Sequence, residues 1–194
     1  MGGRPAASGQ GVVRLGVTLV ANVASSYALE GVSALCAGAF GLLDPLRHVG
    51  GPALLLAVLA SYTAWLGGLA LNVHGNWRLL ERESVSVSVT SKLLHDTARR
   101  LTGSRRVQYG AAAFGFVIWE AVKEVPWLLA TIGVEAAAGS HHGWSFLAGS
   151  NVGAMGYNLV QAGITLQLVR PRTTRKCSAL SWRRSETQTS EDMP

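Results

Sequence analysis

Charge is scarce in this sequence, and what there is comes in blocks. Asp, Glu, Lys and Arg make up 14% of its 194 residues, against about 25% in an ordinary soluble domain. Long stretches carry almost none of it, and a few short stretches hold nearly all. That distribution excludes a chain solvated over its whole surface and fits one written for a bilayer. Cysteine is scarce as well. Cys36 lies in an apolar stretch and Cys177 in a basic tail, with no CxxC and no Cys/His ligand spacing nearby, so a disulfide framework and a zinc site are both unexpected. HExxH, GxSxG and the phosphate-binding P-loop are absent too. The sequence therefore leans away from an enzyme, and it suggests no catalytic residue, no metal and no cofactor. Asp96 beside His95 lacks the other members of a phosphotransferase motif, and the adjacent His141 and His142 read as a solvated pair.

What is present is a set of apolar runs. Residues 15–43, 53–73, 107–134 and 144–169 are each long enough to cross a hydrocarbon core, which takes about 20 helical residues. The first could be taken for a secretory signal around Ala24–Ala28. Its apolar run resumes after Glu30, however, beyond the span of about 7–15 residues that a signal core requires, which favours an uncleaved helix. The expected fold is an all-α membrane protein: one membrane domain over 15–169, built as a four-helix transmembrane bundle. Residues 1–14 read as a mobile cytoplasmic N-terminus. Residues 78–106 read as a basic, partly helical cytoplasmic loop between helices 2 and 3. Residues 170–194 read as a disordered basic tail. Within the loop, Ser84-Val85-Ser86-Val87-Ser88-Val89 alternates with period two, formally a strand signal, yet no partner strand is visible. A break between two interfacial helices is the expectation there.

Orientation follows from the basic residues. Arg4, Arg14, seven residues of the middle loop and six of the tail fall on one side of a four-span chain, which is 15 of the 17. Arg47 alone falls on the other side, and Lys123 lies inside a span. The positive-inside rule places the basic side, with both termini, in the cytoplasm of a plasma-membrane protein. The net charge of +6 is accounted for in this way, so nucleic acid is not an expected partner. The bilayer is, together with anionic lipids at the basic face.

Four ionisable residues fall within spans. Glu120, Lys123 and Glu124 are spaced by three and four and so share one helix face, and Glu30 should lie at similar depth in the first span. A charge at the bilayer centre costs about 2.5–3.5 kcal/mol on insertion scales. Lys123 can neutralise one carboxylate. The others must be protonated, hydrated in a cavity or neutralised by a cation. The competing structural reading is a helix-locking Glu120–Lys123 pair, with Glu124 near the outer interface. Supporting polar stripes run through Asn22, Ser26 and Glu30 in helix 1, Ser61, Asn72 and Asn76 in helix 2, and Asn151 and Asn158 in helix 4. Gly149, Gly153, Gly156 and Gly163 form a small-residue face on that last helix, including a GxxxG motif suited to close helix packing or to a second copy.

The four-span plan is similar to that of GtrA-like membrane proteins, implicated in moving polyprenyl-linked sugars. The likeness rests on Leu71-Asn72-Val73-His74-Gly75-Asn76-Trp77-Arg78, an Asn-rich, aromatic, basic exit from helix 2. The fourth helix lacks a matching exit, and the charged third helix is foreign to that pattern. A carboxylate in the first helix resembles small multidrug exporters, which are much shorter. The expected function is a small transporter or permease-like protein using the Glu30, Glu120, Lys123 and Glu124 cluster for protons, cations or a polar substrate. The alternatives are a non-catalytic membrane subunit or scaffold packing through its glycine face, as a homo-oligomer or with another membrane protein, and a membrane enzyme or flippase for lipid-linked substrates.

Overall fold

A computed structural model describes residues 9–138 and 142–170; within the third long helix the side chains of Lys123, Glu124 and several residues after them are outside the description. The described residues are all helical: α1 Gly9–Leu43, α2 Gly51–Glu83, α3 Val89–Leu101, α4 Arg105–Ala138 and α5 His142–Leu168. Of the expected mobile N-terminus 1–14, residues 1–8 fall outside it, as do His141 and most of the basic tail, whereas residues 9–14 form the start of α1.

α2 starts where the sequence places punctuation. Gly51 takes a left-handed φ of 54°, and Pro52 follows in the first turn, where its missing N–H costs nothing. The helix does not end near Val73 as expected. It runs 33 residues to Glu83, about 50 Å at 1.5 Å per residue, well beyond a 30 Å hydrocarbon core. The added turns are held by packing, because Trp77, Leu79 and Leu80 are all buried. Trp77 packs inside the bundle. Its ring sits edge-on to His95 at 5.5 Å and to Tyr109 at 5.4 Å. The segment 78–106 is correspondingly more ordered than a loop. It comprises the end of α2, a short break, α3 packed along α4, and the first turn of α4. No strand forms among the described residues. Ser84 closes α2 in the left-handed region (φ 54°), and Ser88 caps α3 by accepting from the Ser91 N–H. Arg99 and Arg100 close α3, where cations suit the helix dipole.

α5 is the central helix, packed against α1 on one side and α2 on the other, while α4 packs on α3 and more lightly on α5 and α2. Small residues make both α5 contacts possible. A Cβ on Gly149 would stand 2.6 Å from the Cys36 carbonyl oxygen, and one on Gly153 would stand 2.9 Å from the Val32 carbonyl oxygen. These two glycines are therefore the α1–α5 crossing. Gly156 and Gly163 face open space instead, so the small-residue face divides. Between α2 and α4 the contact is apolar, with Leu69, Val73 and Phe116 in one cluster and Trp77, Leu80 and Ala112 in another.

The polarity of the bundle is inverted relative to a soluble protein. Asn22, Asn72, Asn76, Asn151 and Asn158 are buried, whereas Val20, Leu35, Leu42, Leu56 and Phe114 are each at least 62% exposed. Both α1 and α2 are long and apolar enough to cross a membrane, and only 17% and 22% of their apolar windows are buried inside the protein.

Candidate functional site

The break between α2 and α3 is held inside the bundle by side-chain amides. A non-helical stretch has backbone groups that no helix ladder satisfies, and burying them unpaired is costly. Asn76 on α2 does most of the pairing. Its Oδ1 accepts from the Ser86 hydroxyl (2.7 Å) and the Val87 N–H (3.0 Å), and its Nδ2 donates to the Ser91 hydroxyl (2.9 Å). Asn22 on α1 accepts from the Val89 N–H at 2.6 Å, and Thr18 accepts from the Ser86 N–H at 3.3 Å. Ser91 and Thr90 donate to the Ala112 and Gly115 carbonyls of α4. Gly115 permits that approach, because a Cβ there would stand 2.7 Å from the Thr90 carbonyl oxygen. The period-two serines now have a physical explanation. Ser86 and Ser88 turn inward, Ser86 to the Asn76 amide and Ser88 to Ser86, Thr90 and the Ser91 N–H, and Val87 packs on the Leu69–Val73–Phe116 cluster.

Beside this break lies the candidate site. α1 leans on α5 and meets α3, but it stands off from α4. The gap is a cavity of about 490 Å³ lined by Leu19, Asn22, Val23, Ser26, Tyr27 and Glu30 of α1, Val89 and Thr90 of α3, and Trp119 of α4. The Trp119 indole N–H reaches across it to the Ser26 hydroxyl at 3.3 Å. Glu30 is exposed at the cavity wall. One carboxylate, three small polar side chains and two aromatic rings on an otherwise apolar wall give the chamber a single negative end.

Glu120 occupies a different position. It is 5% exposed, does not line that cavity, and lies within electrostatic range of the Tyr157 hydroxyl on α5. The side chains of Lys123 and Glu124 fall outside the description, so the four-residue cluster is placed only at Glu30, on the cavity wall, and Glu120, buried and off that wall. The other polar stripes are interhelical ties. Asn72 donates to Asn158 (2.8 Å) and Gln161 (2.5 Å), Asn151 donates to Ser61 (3.0 Å), and Tyr157 and Gln161 both donate to Ser25. The Asn72 Oδ1 is buried without a hydrogen-bond partner among the described residues.

Two further clusters close the ends of the bundle. At the α1–α2 turn, buried Asp44 accepts from the Ser145 hydroxyl at 2.8 Å and meets His142 at 3.1 Å, which fixes the start of α5. On α3, Asp96 pairs with Lys92 at 2.7 Å and His95 at 3.2 Å. Burial alone would raise the Asp96 carboxyl, but the ammonium and the ring beside it outweigh burial and hold it below its usual 3.8. His142 takes part in the first cluster, so it is not a merely solvated histidine, and no group of metal-ligand type forms among the described residues.

Sequence reading found the Asn22–Ser26–Glu30 stripe but not what it faces. It faces the Val89 N–H and the Trp119 indole, while the missed partners of Asn76 are Ser86 and Ser91; the only signal for Ser86 was the serine alternation directly after an asparagine-bearing helix. No protein-family model, no curated protein and no solved structure matches this chain.

Proposed function

We propose that the chain is a four-span integral membrane protein of the plasma membrane, with α1, α2, α4 and α5 crossing and both termini cytoplasmic, and that it works as a small permease-like protein. The membrane reading is supported by the inverted polarity. Apolar side chains cover the outside of the bundle, and buried amides and hydroxyls tie its helices together beside small apolar clusters, a distribution that suits an apolar solvent. Orientation is supported by the basic residues of α2's end, α3 and α4's first turn, opposite the lone Arg47.

The observation that carries the functional reading is Glu30 on the wall of the α1–α3–α4 cavity. A carboxylate held at that depth has a function as its default explanation, because a purely structural role would favour an apolar side chain. The cavity wall is built from α1, α3 and α4, so occupying it does not require unpacking α2 from α5. The amides around it are engaged in holding the α2–α3 break, which leaves the carboxylate as the group for cargo.

Proteoliposomes loaded with a pH-sensitive dye and subjected to imposed sodium, potassium and proton gradients test this. Wild type should dissipate at least one gradient faster than empty liposomes. Glu30→Gln should lose that activity, whereas Glu83→Gln at the exposed end of α2 should keep it. Equal rates for wild type and Glu30→Gln would end the proposal.

A scaffold role is favoured by one separate observation. Gly156 and Gly163 face open space beside exposed Leu159, Val160 and Ile164 on α5. Cross-linking through that strip in native membranes would support it.

A further inference from the structure

The basic end of the bundle contains a second, differently built hollow. It measures about 330 Å³ and is lined by Trp77 of α2 and by Arg105, Arg106 and Tyr109 of α4. Its wall is rigid. Trp77 is 8% exposed and clamped between two rings, Tyr109 at an interplanar angle of 87° and His95 at 73°. Its rim is cationic beyond local need. Glu81 pairs with both Arg105 and Arg78, so one carboxylate serves two guanidiniums. Arg106 has no acidic partner among the described residues. Three cations therefore surround one anion. The first turn of α4 adds backbone N–H groups and the positive end of the helix dipole at the same place.

The hollow also sits at a boundary. Just beyond Arg106 the surface of α4 turns apolar, with Val107 at 53% and Phe114 at 62% exposure. A ligand seated here has an anionic head among arginines and an apolar continuation down α4. An aromatic wall beside guanidiniums at the headgroup level is what an interfacial phosphate meets well, since the fork of Arg matches phosphate oxygens two at a time.

We propose that the Trp77–Arg105–Arg106–Tyr109 hollow binds the phosphate of an anionic membrane lipid, with the acyl chains lying along α4. This rests on the membrane reading given above, but not on transport. Arg99 and Arg100 of α3 also have no acidic partner among the described residues, but neither lines this hollow, so they serve as the comparison for a diffuse positive field. The carboxylate of Glu81 orients Arg105 toward α2, and Arg106 is the residue that meets the lipid directly.

The test uses the purified full chain in detergent, titrated with phosphatidylglycerol, phosphatidylcholine or inorganic phosphate and read by retained lipid in native mass spectrometry. Phosphatidylglycerol should be retained in preference to phosphatidylcholine. Arg106→Gln should weaken that retention by about fivefold, the size expected for one arginine near an anionic headgroup, whereas Arg100→Gln should change it less than about twofold. Both arginines are exposed, and unchanged circular dichroism would confirm that each variant folds. Equal losses from the two variants would mean a diffuse field and overturn the site. Inorganic phosphate displacing the lipid at millimolar concentration would assign the hollow to a free anion, and no lipid preference would also overturn it. Carbonate extraction of the source membranes separates the two failures. A chain released by carbonate defeats the membrane reading, and a retained chain without lipid preference defeats this site alone.

Discussion

Replacing Asn76 by Ala should release the α2–α3 break from the bundle. Three hydrogen bonds disappear with that amide, to the Ser86 hydroxyl, the Val87 N–H and the Ser91 hydroxyl. Their losses are unequal. Ser86 can still donate to the Ser88 carbonyl at 2.8 Å, and Ser91 already donates to the Ala112 carbonyl at 2.8 Å. The Val87 N–H has no such fallback, and orphaning a desolvated donor costs about 1–3 kcal/mol. The two remaining bonds contribute about 0.6 kcal/mol each if they behave like the average polar contact inside a membrane protein. A destabilisation of about 2–4 kcal/mol follows from those terms together. Unfolding in mixed detergent–dodecyl sulfate micelles measures it. A second readout locates it: Ser86→Cys, in a background with Cys36→Ala and Cys177→Ala, should be shielded from a maleimide with Asn76 present and should react freely without it. If Asn76→Ala lies within about 0.5 kcal/mol of the parent, a change typical of an uninvolved surface site, and Ser86→Cys stays shielded, the amide is not what holds the break.

Other perturbations follow from the same contacts. Gly153→Leu drives a side chain into the Val32 carbonyl and the Ser33 backbone, both 2.9 Å from an ideal Cβ, and should cost about 1–3 kcal/mol or more as an overpacked contact. Gly163→Leu meets nothing within 4 Å and should unfold in the same micelles as wild type does; equal effects of the two would contradict the α1–α5 crossing. Gly115→Ala, aimed at the Thr90 carbonyl 2.7 Å away, should loosen α3 from α4 and speed hydrogen exchange in α3. Because the Asp96 carboxyl lies below its usual 3.8 when folded, its pairing with Lys92 contributes fully above that pH and is lost as pH falls through the folded value. Asp96→Asn should then cost no more than about 0.5 kcal/mol at neutral pH, the scale of a half-exposed i,i+4 pair, with the difference from wild type vanishing in acid.

The long helices and their polar stripes were legible in the sequence because both depend on local periodicity. Asn72 and Asn158 share faces with their helices' other polar residues and meet each other, as interhelical glue should. Helix ends were less legible. α2 passes its expected exit because burial of Trp77 and Leu80 against α3 and α4 outweighs the polar Asn76 and Arg78, a tertiary effect with no local mark. The serine alternation was misleading for a related reason. Its inward set faces amides from two other helices, so a period of two arose without any strand. Glu30 and Glu120 stand out from the apolar runs by charge alone, but depth along a helix does not fix rotation about it. Of the two, Glu30 lines the cavity and Glu120 does not.

The most direct test is of topology. With Cys36 and Cys177 replaced by Ala, single cysteines at Gly50 and Gly103 place a thiol in each turn, where a Cβ meets no neighbour within 4 Å. Four spans with a cytoplasmic basic face predict that a membrane-impermeant maleimide labels Gly50→Cys in intact cells and labels Gly103→Cys only after permeabilisation. Labelling of Gly103→Cys in intact cells, or of neither position except after permeabilisation, would contradict it.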